Sequence, residues 1–270
     1  VLEKCHHDVP SGSQISKIEA TGELRVETSS GDSYIIPRCE TNGMSMFLDE
    51  ARQTEEPNSY DGWLSYNMVY EEQGFSDFVG YMSVPDAPAK KPQVLYVFPG
   101  LQNIDWIPVV DAEPSTAFDI IQPVLQYPAQ WGSSWSVRSW YVTLDVGTVA
   151  TDEIKLSEGD LIWGNMTNVG ENSWYIGSTV KSTGETTDTT VTHARLATQP
   201  YAYNTVECYG CDGCSTYPTK SLDFTELQLT LNDGTTYTPE WIDNPKPSQM
   251  TQCNEAIDVK SPEEVTFSFQ

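Results

Sequence analysis

The sequence predicts an all-β protein, and specifically a two-sheet antiparallel β-sandwich. Apolar and polar residues alternate over short runs that turn residues separate, and no long run has helical periodicity. In the clearest example, the alternating run 226–231 is followed by Asn232-Asp233-Gly234, residue types that tolerate the positive φ of a tight hairpin turn. With 270 residues, of which 38% are hydrophobic, the chain is long enough for one large sandwich core.

Two further hairpins and a last strand follow from the same pattern. Residues 24–28 and 34–36 flank a Ser-Gly-Asp turn, and residues 154–156 and 161–163 flank a Ser-Glu-Gly-Asp turn. Residues 265–269 alternate again and predict a final strand. The chain therefore consists mainly of short strands and tight turns.

The polar segment 54–61, which contains Pro57, is typical of a linker, and the one predicted helix, at 46–52, is short. We therefore expect an N-terminal extension with a β-hairpin over 1–58 and the sandwich domain over 59–270. The extension is interpretable as the remnant of an inhibitory prosegment, as a dimer contact or as a cap on a sheet edge.

The chain is strongly acidic, with a formal charge of −25 from 39 acidic and 14 basic residues. No Lys/Arg cluster is present to displace counterions from phosphates, so we expect no nucleic-acid partner and no anionic membrane partner. The longest apolar run, 94–98, is far shorter than a membrane helix. Self-repulsion falls where carboxylates are protonated, which favours an acidic working environment, although solubility alone explains the composition equally well.

Cysteine usage favours an oxidising compartment. We expect disulfides and secretion because the count is even, the first residue is Val1 rather than Met, as in a processed or trimmed chain, and a glycosylation sequon begins at Asn165. The expected pairing is Cys5 with Cys39 inside the extension, and the other four cysteines among themselves. Those four also have the spacing of a zinc site, which is the less favoured interpretation. The six cysteines are Cys5, Cys39, Cys208, Cys211, Cys214 and Cys253.

Most hydrolytic and cofactor chemistries lack their motifs. The chain has three histidines, and it contains no Gly-x-Ser-x-Gly elbow, no Gly-rich phosphate loop and no His-Glu-x-x-His zinc motif. We therefore expect no cofactor and no catalytic metal, and carboxylates remain as the groups able to move a proton.

A tryptophan-rich stretch follows Gln122. Strand alternation places Arg138, Trp140 and Val142 on one face, opposite Val137, Ser139 and Tyr141. These aromatics either fill the core or line a cleft that holds an extended polymer. An arginine among them needs a partner, which a carboxylate in the cleft would supply.

Eight segments of the chain, over about residues 62–231, resemble the glutamic peptidases of the eqolisin type in order and local motif. Two of these segments correspond to the family's Ile-Leu-Gln motif, which contains its catalytic glutamine, and to the strand that contains its catalytic glutamate. In chain order the segments are Asp61-Gly62-Trp63-Leu64, Met82-Ser83-Val84-Pro85, Val97-Phe98-Pro99-Gly100-Leu101-Gln102, Ile120-Ile121-Gln122, Val137-Arg138-Ser139-Trp140-Tyr141, Leu156-Ser157-Glu158-Gly159-Asp160, Val206-Glu207-Cys208-Tyr209 and Leu222-Asp223-Phe224-Thr225-Glu226.

The resemblance implies a concanavalin-like jelly roll with Gln122 and Glu207 as catalytic residues on its concave face. Glu207 would be the general base that activates a water, and Gln122 would donate an N–H to the oxyanion. The chain departs from the family pattern at Gln102 and Ser139, where the family has acidic residues, and it lacks the tryptophan after the catalytic glutamate. We take as candidate substrate-binding residues Trp63, Gln102, Trp131, Trp135, Arg138 and Trp140.

We therefore expect a secreted, acid-acting glutamic endopeptidase-like hydrolase that cleaves polypeptides. A glutamate titrates near 4.3, so activity is expected to fall towards neutrality unless burial raises that pKa. One alternative is a carbohydrate-binding, lectin-like or extracellular matrix sandwich without hydrolytic activity. Another is a jelly roll that acts on polysaccharides.

Overall fold

A computed structural model describes residues 5–39, 62–107, 117–130, 132–243 and 253–269. The predicted helix at 46–52, the predicted linker at 54–61, and Trp131 lie outside this part of the chain. The all-β prediction is confirmed, because the described residues form strands and no α-helix. Two short 3-10 helices, Ala194–Ala197 and Cys214–Thr216, interrupt the strands. No helix among the described residues is long and apolar enough to cross a membrane.

The N-terminal part of the chain contributes four short strands before the first gap. They are β1 (His6–Asp8), β2 (Ser13–Lys17), β3 (Leu24–Glu27) and β4 (Ser33–Ile36). The next strands are β5 (Gly62–Ser83), β6 (Val94–Gln102), β7 (Asp119–Tyr127), β8 (Trp135–Thr143), β9 (Gly147–Ala150), β10 (Ile154–Leu156), β11 (Leu161–Gly170) and β12 (Ser173–Val180). The last are β13 (Thr186–Thr192), β14 (Gln199–Tyr209), β15 (Leu222–Leu231), β16 (Thr236–Tyr237), β17 (Ile242–Asp243), β18 (Ala256–Ser261) and β19 (Glu264–Ser268).

The strands form one large mixed sheet, nearly closed into a barrel, and β5 joins its two arms. The first half of this 22-residue strand pairs with β14, and the second half pairs with β11 and β15. One arm runs β14, β6, β7, β8, β9 and β1, and the other runs β11, β12, β13, β2, β3 and β4. The two-sheet detail of the prediction is not confirmed, because β5 is long enough to belong to both arms.

The N-terminal extension covers edges of this sheet. Strand β1 pairs in parallel with β9, and β2 pairs in parallel with β13, whereas the other described pairings are antiparallel. The prediction of a purely antiparallel sheet is therefore wrong at these two places. A strand added to an edge from a separate segment is free to run in either direction, because no tight turn connects it to its neighbour. Its backbone satisfies hydrogen-bonding groups that would otherwise form an exposed edge.

Two of the three predicted hairpins are confirmed. Strands β3 and β4 pair antiparallel, and so do β15 and β16. The third is wrong, because β10 pairs with β8, whereas β11 pairs with β5 and β12. The turn at 157–160 therefore carries the chain from one arm of the sheet to the other.

Buried side chains form two clusters on opposite faces of the strands. The predicted alternation along β8 is present, since Val137 and Tyr141 belong to the larger, mainly aliphatic cluster and Trp140 and Val142 belong to the second. We call the second group the aromatic cluster, because its largest members are Trp63, Tyr66, Tyr96, Phe98, Trp106, Phe118, Trp140, Tyr203 and Tyr209.

The expected cysteine pairing is confirmed. Cys5 is bonded to Cys39 within the extension, and the other four cysteines are paired among themselves as Cys208–Cys211 and Cys214–Cys253. Four cysteines held in disulfides do not supply thiolate ligands, so the zinc interpretation of their spacing is wrong. A disulfide stabilises the fold mainly by restricting the unfolded chain.

Candidate active site

Gln122 and Glu207 line the same cavity, which we call the central cavity. Gln122 lies on β7 and Glu207 on β14, and both strands pair with β6. Strands lie about 4.8 Å apart in a sheet, so about 10 Å separates the two backbones, and side chains on one face extend into the space between them. Both side chains are buried, with 4% and 6% of their surface exposed.

The central cavity is small and mostly apolar. Its volume is about 30 Å³, counted as the space that the centre of a water molecule can occupy. A water molecule needs roughly 10–15 Å³ on this measure, so the cavity has room for about two waters. Its walls consist of Trp63, Tyr96, Phe98, Gln102, Trp106, Phe118, Ile120, Gln122, Trp140, Val142, Thr148, Glu207 and Tyr209.

Aromatic neighbours surround Glu207 and change its ionisation. In the sheet it lies opposite Trp63 on β5 and opposite Tyr96 on β6. Burial raises the pKa of Glu207 from 4.5 to about 7, although a hydrogen bond from the Tyr209 hydroxyl, at 2.6 Å, acts in the other direction. Desolvation penalises the charged form, so the carboxyl holds its proton well above the usual range. A carboxyl that titrates near neutrality is able both to accept and to return a proton.

Gln122 has an unused amide. Its side chain makes no hydrogen bond with any described residue, and its buried Oε1 has no partner among them. Buried polar atoms are normally paired, so an amide left open in a cavity is a candidate for binding a ligand. Opposite Gln122 on β8 lies Trp140, which also lines the cavity.

Gln102, a candidate substrate-binding residue, also reaches the central cavity, but its amide is already occupied. Its Nε2 donates to the backbone oxygens of Ile104 and Trp106, at 2.7 Å each. These bonds fix the segment that carries Trp106 into the cavity wall. Gln102 therefore shapes the wall, whereas the amide of Gln122 is open to a ligand.

The remaining candidate binding residues divide between the two faces. Trp63 and Trp140 line the central cavity. Trp135, also a candidate binding residue, does not line this cavity. It lies on the opposite face of β8, buried in the aliphatic cluster against Tyr127, with ring centroids 5.3 Å apart. An odd-numbered residue of β8 faces away from Trp140 because side chains alternate along a strand.

Arg138 lies on the same face as Trp140, two residues before it on β8. The predicted carboxylate partner exists, but it is Asp8 of the N-terminal extension, which accepts a hydrogen bond from Nη2 of Arg138. Nε of Arg138 donates to the backbone oxygen of Thr151 at 2.5 Å. The extension therefore reaches the face of the sheet that carries the candidate site.

Sequence reasoning missed Tyr96 and Tyr209. Tyr209 follows Glu207 by two positions, so strand alternation was a signal that could have placed it on the same face. Tyr96 lies more than a hundred positions from Glu207, and only the pairing of β6 with β14 brings the two together. Burial, followed by the nearby Glu207 charge, raises the pKa of Tyr96, so its hydroxyl stays neutral.

No group of three or more His, Cys, Asp or Glu side chains arranged to hold a metal ion occurs in the described part of the chain. The glycosylation candidate Asn165 lies on β11 between β5 and β12, and its Oδ1 accepts a hydrogen bond from Thr167 at 2.5 Å. Its modification stays a prediction.

Three solved structures that are similar to this chain in fold are of glutamic peptidases. Scytalido-glutamic peptidase, solved with a transition state analog inhibitor, superposes with a TM-score of 0.57 at 16% identity, covering 78% of this chain and 98% of that one. The same enzyme with a peptide-based transition state analog gives a TM-score of 0.55 at the same identity and coverage. SCP-B, a member of the eqolisin family of peptidases in complex with the tripeptide Ala-Ile-His, gives 0.53 at 16% identity and the same coverage.

No protein-family model matches the chain, and no curated protein matches it. The resemblance to the glutamic peptidases is thus confirmed as a distant one, at the level of the fold.

Proposed function

We propose that the protein is an endopeptidase that hydrolyses polypeptides with Glu207 and Gln122. The observation that carries this proposal is the central cavity, in which an unpartnered amide and a carboxyl with a raised pKa lie on one face with room for water. The similarity in fold to glutamic peptidases supports the proposal. A fold alone does not define the chemistry, so the proposal depends on the residues of the cavity.

In the first step, the Glu207 carboxylate takes a proton from a water as the water oxygen bonds to the scissile carbonyl carbon. The carbonyl oxygen becomes an oxyanion, and an N–H of Gln122 donates to it. In the second step, the Glu207 carboxyl gives that proton to the amide nitrogen as the carbon–nitrogen bond breaks. The products are a carboxylic acid and an amine, and Glu207 returns to its starting state.

A polypeptide needs more room than the two waters that fit the central cavity, so binding requires wall side chains to move apart. Trp63 and Trp140 are proposed to contact the substrate backbone from either side of the two catalytic residues. The concanavalin-like, two-sheet description remains part of this proposal, as does the boundary between the extension and the domain from residue 59.

The working pH is set by Glu207. At pH 5, a carboxyl with a pKa of about 7 is ionised in about 1% of molecules, so little of the base form is present. The expectation of action in acid assumed a glutamate with an ordinary pKa near 4.3. We propose instead that activity rises towards neutrality. Secretion is proposed on the three disulfides, which persist in oxidising compartments.

The direct test is cleavage of denatured casein by the wild type, Glu207→Gln and the control Glu185→Gln, whose side chain is exposed in a turn. New N-termini identified by mass spectrometry, lost in Glu207→Gln and kept in the control, support the peptidase. The cleavage should survive inhibitors of serine, cysteine, metallo and pepsin-type enzymes.

Binding on a glycan array without casein cleavage would support the carbohydrate-binding alternative, and sugar release from a polysaccharide would support the polysaccharide-active one. The tryptophans expected to stack on sugars were Trp131, Trp135 and Trp140, of which Trp131 lies outside the described residues. Trp135 is buried in the aliphatic cluster on the opposite face of β8, which weakens both alternatives.

A further inference from the structure

A second, larger pocket continues the candidate site along the same face of the sheet. We call it the Arg138 pocket. On the same measure its volume is about 630 Å³, against about 30 Å³ for the central cavity. Tyr96 lines both. Its polar lining includes His6, Asp8, Lys91, Gln126 and Arg138. The first two belong to the N-terminal extension, so this part of the surface exists only because β1 pairs with the sheet edge.

The strand register fixes how far this pocket lies from the proposed catalytic residues. On β7, Gln122 lines the central cavity and Gln126 lines the Arg138 pocket. On β8, Trp140, which lies opposite Gln122, lines the first and Arg138 the second. A strand advances about 3.3 Å per residue, so the pocket lies roughly 7–13 Å from Gln122. That is about two to four residues along an extended substrate.

The pocket is positively charged in a chain that is otherwise strongly acidic. Arg138 is buried, and Lys91 is exposed and makes no ion pair with a described residue. Asp8 is the one acidic side chain in the lining, and the hydrogen bond with His6, together with Arg138, lowers its pKa so that it stays ionised. Two basic side chains, Arg138 and Lys91, and a histidine therefore line the pocket with one carboxylate, although the whole chain has 39 acidic and 14 basic residues.

Arg138 is also fixed in position. Its Nε and Nη2 bind backbone oxygens of Thr151 and Ala150, its Nη2 binds Asp8, and Nη1 lies 3.4 Å from Nε2 of His6. A guanidinium that is held in place presents its charge without losing side-chain entropy when an anion binds. Lys91 also lines the pocket, and its side chain is exposed. A carboxylate entering between them would meet both charges.

We propose that the Arg138 pocket is a substrate subsite that binds an aspartate or glutamate side chain two to four residues from the scissile bond. This inference rests on the proposed peptidase function. It assigns the N-terminal extension a part in specificity, in addition to covering a sheet edge.

The test uses pairs of peptides that differ only in carrying glutamate or glutamine at one position, from four residues before the scissile bond to four after it. At pH 6 the glutamate is ionised, since its ordinary pKa is near 4.3. We expect kcat/KM to favour glutamate roughly tenfold at one position, two to four residues from the bond. Equal rates for both peptides at every position would overturn the subsite.

Variants locate the effect. Lys91→Gln should reduce the preference for glutamate several-fold, and Lys91→Glu should reverse it in favour of a lysine peptide. The matched control is Lys90→Gln, which removes the same charge from the neighbouring position, where the side chain pairs with Asp212 outside the pocket. An equal loss of preference in Lys90→Gln would mean that general surface charge is responsible, and would contradict the proposal.

Binding of the same peptides to Glu207→Gln is measured by calorimetry in parallel. If no peptide is cleaved by the wild type, the proposed function fails, but a glutamate preference in binding that Lys91→Gln removes would still support the subsite. Equal binding of the glutamate and glutamine peptides would reject it independently of cleavage.

Discussion

Glu207 lies opposite Tyr96 in the β14–β6 pair, and both side chains line the central cavity that also contains Gln122. This relationship explains the ionisation of the carboxyl, because aromatic neighbours on both adjacent strands keep water away from it. A buried carboxyl is costly when charged, so the arrangement should be visible in the stability of the protein as well as in its activity.

The first prediction concerns stability against pH. The folded protein holds the Glu207 proton with a pKa of about 7, whereas the unfolded chain holds it near 4.5. Folding is therefore favoured by this group below pH 4.5, and that stability is lost as pH rises through about 7. The difference corresponds to about 3 kcal/mol.

Glu207→Gln removes this dependence, because glutamine does not ionise. We expect the variant to match the wild type at pH 4 and to be more stable by up to about 3 kcal/mol at pH 8. Urea denaturation at both pH values measures the difference, with Glu185→Gln as the control. A variant that is less stable than the wild type at pH 8 would show that the carboxylate is not strained by burial.

The second prediction concerns the pH dependence of catalysis. If ionised Glu207 is the base, kcat/KM should rise about tenfold per pH unit below 6 and level off above about 7. Tyr209→Phe removes a hydrogen bond that lowers the pKa of Glu207, so this limb should move to higher pH. Tyr175→Phe, on β12, is the control and should leave the limb in place. A limb that stays unchanged in Tyr209→Phe would separate Glu207 from the rate-determining ionisation.

The third prediction concerns Asp119, which begins β7 three residues before Gln122. Burial alone would raise the pKa of Asp119, but hydrogen bonds from His193, Arg195 and Tyr141 outweigh it and lower that pKa. Asp119→Asn removes the more buried of the two carboxylates that pair with Arg195 and leaves it with Asp145, so we expect a loss of about 3 kcal/mol in the free energy of unfolding.

Thermal or urea denaturation of Asp119→Asn, beside the exposed Asp258→Asn, measures this loss. Because the pKa of Asp119 is lowered, its contribution is present above pH 3.8 and disappears as pH falls below it. The wild type and Asp119→Asn should therefore differ less in free energy of unfolding in strong acid than at pH 6. A constant difference across this range would mean that the charge of Asp119 is not what stabilises the fold.

Local sequence patterns predicted the strands but not how distant ones pair. Alternation along β8 correctly separated Trp140 from Tyr141, because side-chain direction depends only on position within a strand. By the same rule Trp135 lies on the face opposite Trp140, so this candidate binding residue does not line the central cavity. The false hairpin at 157–160 shows the limit of turn signals, since a tight turn also connects strands that pair elsewhere.

The candidate site depended on long-range register. Gln122 and Glu207 were singled out from a motif resemblance, and no local pattern indicates that β6 separates their strands. The partner of Arg138 was expected to be a carboxylate in the cleft, yet Asp8 comes from a strand of the N-terminal extension that pairs in parallel with β9. No tight turn connects strands that pair in parallel, so no local sequence signal predicts such a pair. The contact of the extension with Arg138 was therefore not predictable.

The measurement that tests the central claim most directly is a double-mutant cycle on kcat/KM for one peptide at pH 7. Gln122→Ala should lower kcat/KM by roughly 100- to 1000-fold, the usual cost of losing an oxyanion donor, and Gln228→Ala, on the exposed face of β15, should not. If Gln122 and Glu207 act on the same reacting carbonyl, adding Gln122→Ala to Glu207→Gln should cost much less than it does alone. Losses that multiply in full, or wild-type rates in either single variant, would contradict the claim that these two residues form one catalytic unit.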